Sequence, residues 1–413
     1  MQSLIYRKSI PRYLLMRISS KRIETLETSR FSPLQLEEIP EPKLPTPEWV
    51  RVTPLLSGIC GSDLGTLSSE NSPYFSPITS PPFVMGHEVF GEVAEDNSGF
   101  AAGERVVVEP ALGCKVRGVE PPCPYCAAGS HALCLNVAKG DISPGIQTGF
   151  CRDTGGGWSC GTLVAHPSQL HRVPDAVPDE AAVAIEPLAC AVHAALKDTP
   201  SPDDTSLVIG AGSVGLFTVA ALRHLTEAGR VICVAKHTRQ RDEALRLGAD
   251  EVVHPKETYT TLPKMLGTEA YKPELGKPVV MGGADRVYEC VGAPATMEDA
   301  VRLTRPGGET TLVGMPAAKS SLDLTALWYK EISLAGSYAY GAEEYHGERT
   351  SSFALALRLA PEIGLEKMVG PRFPLEKYGE AVATARAAGR EGNVKVVFDH
   401  RSYLSFQPVS PDS

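Results

Sequence analysis

No stretch of this 413-residue chain supplies the roughly 20 apolar residues needed to span a bilayer. Its longest nearly uncharged run, Leu207 to Leu222, is broken by three glycines and a serine, so no transmembrane segment is expected. Positive charge is also short. Forty Lys and Arg face 49 Asp and Glu, a formal −9 with a pI near 5.7. That balance argues against a nucleic acid or a membrane as the partner and points to a small molecule. Cysteine is too sparse for a disulfide scaffold. Ten thiols are present and four crowd into one segment, a pattern that points to metal and suits a reducing, cytoplasmic compartment. Acid is missing from residues 1–23, which carry six Lys or Arg. A mitochondrial transit peptide has such a composition. The reading preferred is two short strands, 3–6 and 13–18, with basic residues on their wet side.

What the chain does contain is 43% hydrophobic and 22% charged residues, enough for a substantial core in two or three domains. Up to about residue 196 the sequence is rich in Pro and Gly with short β-prone runs, such as 49–52, 88–94 and 105–108, and reads as an irregular β domain. From Ser206 strand-like runs (206–209, 230–235, 286–289, 310–313) alternate with helical stretches (216–228, 239–247), which argues for a doubly wound parallel sheet. A helical stretch over 349–359 and a strand over 394–398 follow, and a loose tail is expected from about Arg401.

Gly210-Ala-Gly212-Ser213-Val214-Gly215 comes directly after the apolar run 207–209 and opens a helical stretch, the context a dinucleotide cradle requires. The first glycine allows the turn, the second admits a pyrophosphate and the third lets helix and strand pack closely. The helix N-terminus offers free N–H groups to the anion. About 20 residues on, where an acid would hold the ribose of NAD, stands Ala235, followed by Lys236 and Arg239. Cations there would pair with a 2′-phosphate, so NADP is the expected cofactor. The alternative is that they are solvated residues at a helix start and NAD serves as well.

Cys114, Cys123, Cys126 and Cys134 lie in a loop studded with Pro and Gly. Four thiolates close a tetrahedral structural zinc that performs no chemistry itself. A second set is scattered: Cys60, His87, Glu88 and Glu186. One Cys, one His and one Glu would supply three ligands and leave the open position of a catalytic zinc.

Gly58-Ile-Cys60-Gly-Ser-Asp63, Gly86-His87-Glu88-x-x-Gly91, the four-cysteine lobe, Glu186-Pro187, the Gly210 cradle and Arg305-Pro-Gly-Gly308 before Leu312-Val-Gly314 occur in that order. Together they resemble the zinc-containing medium-chain dehydrogenase/reductase superfamily over nearly the whole chain. The resemblance implies an α/β fold: a GroES-like β-rich catalytic domain (1–196), a Rossmann doubly wound parallel sheet (197–338), and a return to the catalytic domain with a tail (339–413). The active site would lie in the cleft between the domains. Cys60 and His87 would ligate the catalytic zinc together with Glu186, or with Glu88 instead. Asp63 would orient the zinc-bound histidine, and Ser62 would take the substrate hydroxyl proton. Gly210, Gly212, Ser213, Val214, Gly215, Lys236, Arg239, Val291 and Gly314 would hold the dinucleotide, and Lys395 matches a basic residue close to it. The implied activity is hydride transfer between an alcohol (polyol, sugar or amino-alcohol-like) and NAD(P) by a homodimer or homotetramer.

Three departures from the family pattern stand out. Gly65 replaces a histidine that relays protons to solvent. Glu120 stands where the first lobe cysteine belongs, so Cys114 is assigned and 115–122 is read as an inserted turn. Cys160 and Gly161 replace a carboxylate that sugar dehydrogenases use, which argues against glucose itself. The rival readings are an NAD-preferring threonine- or polyol-type dehydrogenase, a zinc-free quinone or enoyl reductase, and a nucleic-acid-binding zinc ribbon. The net charge disfavours the last. Leu64, Phe150 and Trp158 are candidates for substrate selection, and the remaining cysteines read as small buried hydrophobes.

Overall fold

A computed structural model describes residues 1–19, 23–316 and 321–404. The chain forms two compact units, 1–186 with 360–388 and 395–413, and 187–359 with 389–394.

The first unit is built on strands that alternate or bury their side chains. In Val50–Gly58 the burial alternates along the first six residues, as a strand with one covered face requires. It sits centrally in a seven-stranded sheet ordered 369–373, 395–399, 50–58, 89–93, 105–108, 170–172, with 163–165 also paired to 50–58. A second sheet joins 34–38, 2–6 and 83–84. Val50, Val52, Val89, Val106 and Val108 form one core cluster, and Leu4, Leu34, Met85, Trp158 and Phe398 anchor another. Burying each such side chain stabilises the fold by roughly 1.5–3 kcal/mol.

The second unit carries six parallel strands in the order 251–253, 230–234, 205–209, 284–289, 304–312, 333–336. Numbered along the chain, that order is 3-2-1-4-5-6, the doubly wound arrangement in which the first strand adjoins the switch point. Strands such as Val231-Ile-Cys-Val234 are buried on both faces, which explains their continuous apolar runs.

Three expectations are corrected. Residues 13–18 are not a strand but part of a helix, Ile10–Ser19. Pro11 suits a helix start, Leu14, Leu15 and Met16 are unbranched at Cβ, and the covered positions 12, 13, 16 and 19 follow a helical period. The tail begins with a short helix, Arg401–Leu404, while 405–413 lie outside the described residues. The helix expected from Arg349 starts at Ser352, since Glu348–Ser351 pairs as a strand with Ala342–Tyr345. Among the described residues no helix is long and apolar enough to cross a membrane.

His400 seals the first core. Its Nε2 donates to the Gly157 carbonyl at 2.9 Å, which leaves Nδ1 facing the Cys160 thiol at 3.8 Å. Burial drives its pKa down to about 4 from 6.5. The unfolded chain therefore takes up a proton that the folded protein refuses, and stability complete above pH 6.5 declines as pH falls toward 4. Between pH 7.5 and 4.5 this group removes about 2–3 kcal/mol. Urea unfolding at the two values checks it: His400→Gln, which keeps the donor to Gly157, should lose that much less than the parent protein. Equal losses would exclude His400 as the source.

Candidate active site

The loop expected to be a metal lobe gathers its four cysteines. Each sulfur of Cys114, Cys123, Cys126 and Cys134 lies within 4.8 Å of the others. Backbone N–H groups point at these sulfurs: Cys123 N to Cys114 Sγ at 3.3 Å, Cys114 N to Cys126 Sγ at 3.3 Å, and Asn136 N to Cys134 Sγ at 3.3 Å. Leu135 N donates to Cys123 Sγ at 3.5 Å, and the Asn136 side-chain amide adds a fifth such bond, to Cys114 Sγ at 3.2 Å. Such donors favour thiolates. Burial opposes ionisation at Cys123, yet the Leu135 and Cys126 hydrogen bonds bring its pKa down to about 6, while burial pushes Cys126 and Cys134 up. Four sulfurs, no further ligand in the cluster among the described residues and a ring of amide donors fit a closed tetrahedral zinc.

The 115–122 turn between the first two cysteines brings in Arg117, a residue to which the sequence assigns no role. Its side chain is fully buried and has no carboxylate hydrogen-bond partner among the described residues. The guanidinium donates to the carbonyls of Leu112 (3.0 Å), Lys139 (3.1 Å), Ile142 (3.2 Å), Ser143 (3.3 Å) and Gly145 (2.5 Å). It thereby pins both flanks of the lobe together. Burial pulls its pKa below the usual arginine value, while Cys151, Cys134 and Cys114 push the other way.

The second set is partly assembled. Ligand atoms of Cys60, His87 and Glu88 lie within 4.8 Å of one another. Cys60 ends the loop after Val50–Gly58 and caps the helix Gly61–Leu67, whose third residue is Asp63. One Asp63 oxygen accepts the Cys60 N–H at 3.0 Å, and the other faces His87 Nδ1 at 3.4 Å. His87 thus turns Nδ1 to Asp63 and leaves Nε2 for a ligand. Burial disfavours a charged His87, but Asp63 and then Cys60 hold its pKa well above the ordinary value. The Ser62 side chain is half-buried and finds no hydrogen-bond partner among the described residues.

Glu186 does not join this set. It is buried in the first turn of Ile185–Lys197. Glu88 is instead engaged by Lys395, whose Nζ donates to both Glu88 oxygens at 2.5 and 2.7 Å. Burial opposes the Lys395 charge, yet Glu88, then Cys60 and Glu186, hold its pKa above the usual lysine range. The sequence shows a lysine on the last strand but gives no sign that this strand pairs with 50–58 and brings it against Glu88.

Residues 46–175 match the alcohol dehydrogenase GroES-like domain, and residues 213–353 match the zinc-binding dehydrogenase family. The chain is 29% identical over 357 residues to sorbitol dehydrogenase of Arabidopsis thaliana, covering 86% of this chain and 89% of that protein. It is 28% identical over 346 residues to L-idonate 5-dehydrogenase of Vitis vinifera, covering 83% and 85%. A crystal structure from Sinorhizobium meliloti 1021, described as a zinc-binding dehydrogenase bound to NADP, superposes with a TM-score of 0.65 at 26% identity, covering 89% of this chain and 95% of that one. The chain belongs to the zinc-containing medium-chain dehydrogenase/reductase superfamily. It is an alcohol dehydrogenase by class, with zinc and a nicotinamide cofactor.

The dinucleotide segment of this dehydrogenase has the shape its glycines demand. Gly210 has φ +100°, and a Cβ there would lie 2.4 Å from Val291 Cγ2. A Cβ on Gly215 would lie 1.9 Å from the Gly210 carbonyl oxygen, while one on Gly212 meets nothing within 4 Å. That combination is a packed turn with one open side, which suits an approaching pyrophosphate. The helix Ser213–Leu225 begins there, and the Ser213 hydroxyl is spent on the Val394 carbonyl at 2.7 Å. Val291 is half exposed. Its loop is fixed by buried Glu289, which accepts N–H groups of Val291 (2.9 Å) and Gly292 (2.9 Å) and the Thr296 hydroxyl (2.7 Å). Gly314 packs backbone to backbone against Val291 and Gly292. Ala235 is buried, Lys236 and Arg239 are exposed, and Arg239 pairs with Glu243 at 2.8 Å.

The departures have structural counterparts. The space a side chain at position 65 would take is filled by Asn71, whose Oδ1 would lie 2.5 Å from a Gly65 Cβ. That oxygen is buried and has no hydrogen-bond partner among the described residues, while Nδ2 donates to Thr66 Oγ1 at 2.7 Å. Trp158 is fully buried, and its Nε1 donates to the Gly58 carbonyl at 3.1 Å, so it belongs to the core. Phe150 packs its ring 6.0 Å from His87, and Leu64 is half-buried. Of the remaining cysteines, Cys151, Cys160 and Cys233 are buried, whereas Cys190 and Cys290 are partly exposed.

Proposed function

We propose that this dehydrogenase oxidises a secondary or primary hydroxyl of a polyol or sugar-acid-like substrate, with NADP as the preferred cofactor. The observation that carries the proposal is the set of half-buried Cys60 with buried His87 and Glu88, and near it in sequence the Ser62 hydroxyl, which has no hydrogen-bond partner among the described residues. A zinc-free reductase has no use for that set. The sorbitol and L-idonate dehydrogenase names of the relatives support the substrate class.

Cys60 Sγ and His87 Nε2 would hold the catalytic zinc together with a carboxylate. Glu88 stands in the set but must be shared with Lys395, and Glu186 would have to move to reach it. When bound, zinc supplies Lewis acidity that makes an alcohol proton labile near neutral pH, and the nicotinamide accepts hydride. Ser62 takes that proton through its hydroxyl. Asp63 fixes the tautomer and direction of His87 and acts as a positioning residue. Lys395 balances the charge of Glu88. With Gly65 and Asn71 in place of a relay histidine, the proton continues through water. Cys114, Cys123, Cys126 and Cys134 would hold the structural zinc. We take the working form to be a homodimer or homotetramer in a reducing, cytoplasmic compartment, in keeping with ten cysteines that form no disulfide.

The test is steady-state oxidation of sorbitol and L-idonate with each dinucleotide. NADP should give the higher kcat/KM. Replacing Lys236 and Arg239 together with glutamate should lower NADP preference at least about tenfold, since each charge-assisted bond to the 2′-phosphate contributes about 1.5–3 kcal/mol. An unchanged ratio would remove these two residues from cofactor selection.

A further inference from the structure

The helix Ile10–Ser19 is turned inside out. Ile10, Leu14 and Ile18, spaced four apart and hence on one face, are 68%, 50% and 74% exposed. Pro11 and Leu15 widen that face and are exposed as well. The inward side holds buried Met16 with half-buried Arg12 and Tyr13. The helix is held down by its arginines: Arg12 donates to the Ser32 carbonyl at 3.0 Å, and Arg17 to the Ser69 carbonyl at 3.0 Å. Water therefore meets a continuous aliphatic stripe, the kind of surface that marks an interaction site.

Charge indicates what covers it. Residues 7–31 hold seven Lys or Arg against two Glu, a formal +5 within a chain of −9. Arg7 is paired with Glu37, which also feels the charge of Arg12, whereas exposed Arg17 donates, among the described residues, to the Tyr13 hydroxyl and the Ser69 carbonyl and to no acid. Lys8 precedes the helix, and Lys21-Arg22 follows it in sequence. A two-fold pairing of this face with itself would set the same cations against one another. Aliphatic residues on one face with cations at both ends match the boundary between acyl chains and acidic headgroups. We propose that the Ile10–Ser19 helix docks this dehydrogenase on an anionic lipid surface. The chain-wide negative charge conceals this local feature, and the contact is peripheral, since a ten-residue helix spans only about 15 Å.

The full chain, loaded with zinc and NADP, is sedimented with phosphatidylcholine vesicles containing about 30% phosphatidylglycerol, and with phosphatidylcholine alone. Binding is expected to the anionic vesicles at ~50 mM salt, with loss near ~0.5 M. The triple variant Ile10→Ser, Leu14→Gln, Ile18→Ser should bind at least about tenfold more weakly, with unchanged alcohol oxidation and circular dichroism. A single Leu14→Asp variant should do the same with less risk to folding. No binding to anionic vesicles at low salt, or equal binding by parent and variants, overturns the proposal. So does a parent oligomer, seen by light scattering, that the variants split, since the face would then belong to a second copy.

Discussion

Cys60→Ser and His87→Ala each lower alcohol turnover by ~10³-fold or more and leave dinucleotide affinity within about twofold. The two effects separate because the residues concerned are held by different parts of the chain. Cys60 caps the helix Gly61–Leu67, and His87 is oriented by Asp63 at 3.4 Å. The cradle is built independently by Gly210, Gly215 and the Glu289-fixed loop. Loss of a ligand removes Lewis acidity, a contribution of several kcal/mol to the barrier, with each 1.4 kcal/mol worth about tenfold. Initial rates with sorbitol and NADP, beside a fluorescence titration of NADP alone, measure both quantities. Parallel loss of NADP binding would show that the two sites are not independent.

Arg117→Met is expected to destabilise the first unit by roughly 3–5 kcal/mol and to release the lobe zinc, with little change in KM for substrate when the protein is assayed cold and intact. The variant removes a buried cation that satisfies five carbonyls, and each carbonyl left dry costs about 1–3 kcal/mol. Its charge also offsets the net −2 of a zinc tetrathiolate. Arg117→Lys keeps the charge but cannot span five acceptors, so it should fall between parent and Met variant. Urea unfolding combined with zinc release to a colorimetric chelator reads both effects. A Met variant as stable as the parent would mean that the lobe is held by metal alone.

Much of the second unit is legible in the sequence because local pattern and tertiary fate agree there. Apolar runs such as Leu207-Val-Ile209 are strands buried on both faces, and the glycines at 210 and 215 each match a steric demand, while the one at 212 leaves the turn open. The four-cysteine lobe is equally legible, since four thiols crowded into one Pro- and Gly-rich loop would oxidise readily unless a metal held them. What escapes the sequence depends on long-range placement. Lys395 meets Glu88 only because the last strand returns to pair with 50–58, 307 residues from that acid. Nothing in the sequence marks Arg117, whose burial and five carbonyl partners arise only when its turn folds inward. The 13–18 segment departs from its pattern for a related reason: its apolar residues suggest a core face, whereas Leu14, Leu15 and Ile18 point outward and Arg12 and Arg17 point to the protein.

Zinc content per chain tests the central claim most directly, measured on the purified parent, on Cys60→Ser and on Cys123→Ser. The expected values are two for the parent and one for each variant, with NADP-dependent polyol oxidation lost in Cys60→Ser. One zinc or none in the parent, or two retained in Cys60→Ser, would contradict a catalytic metal held by Cys60 and His87.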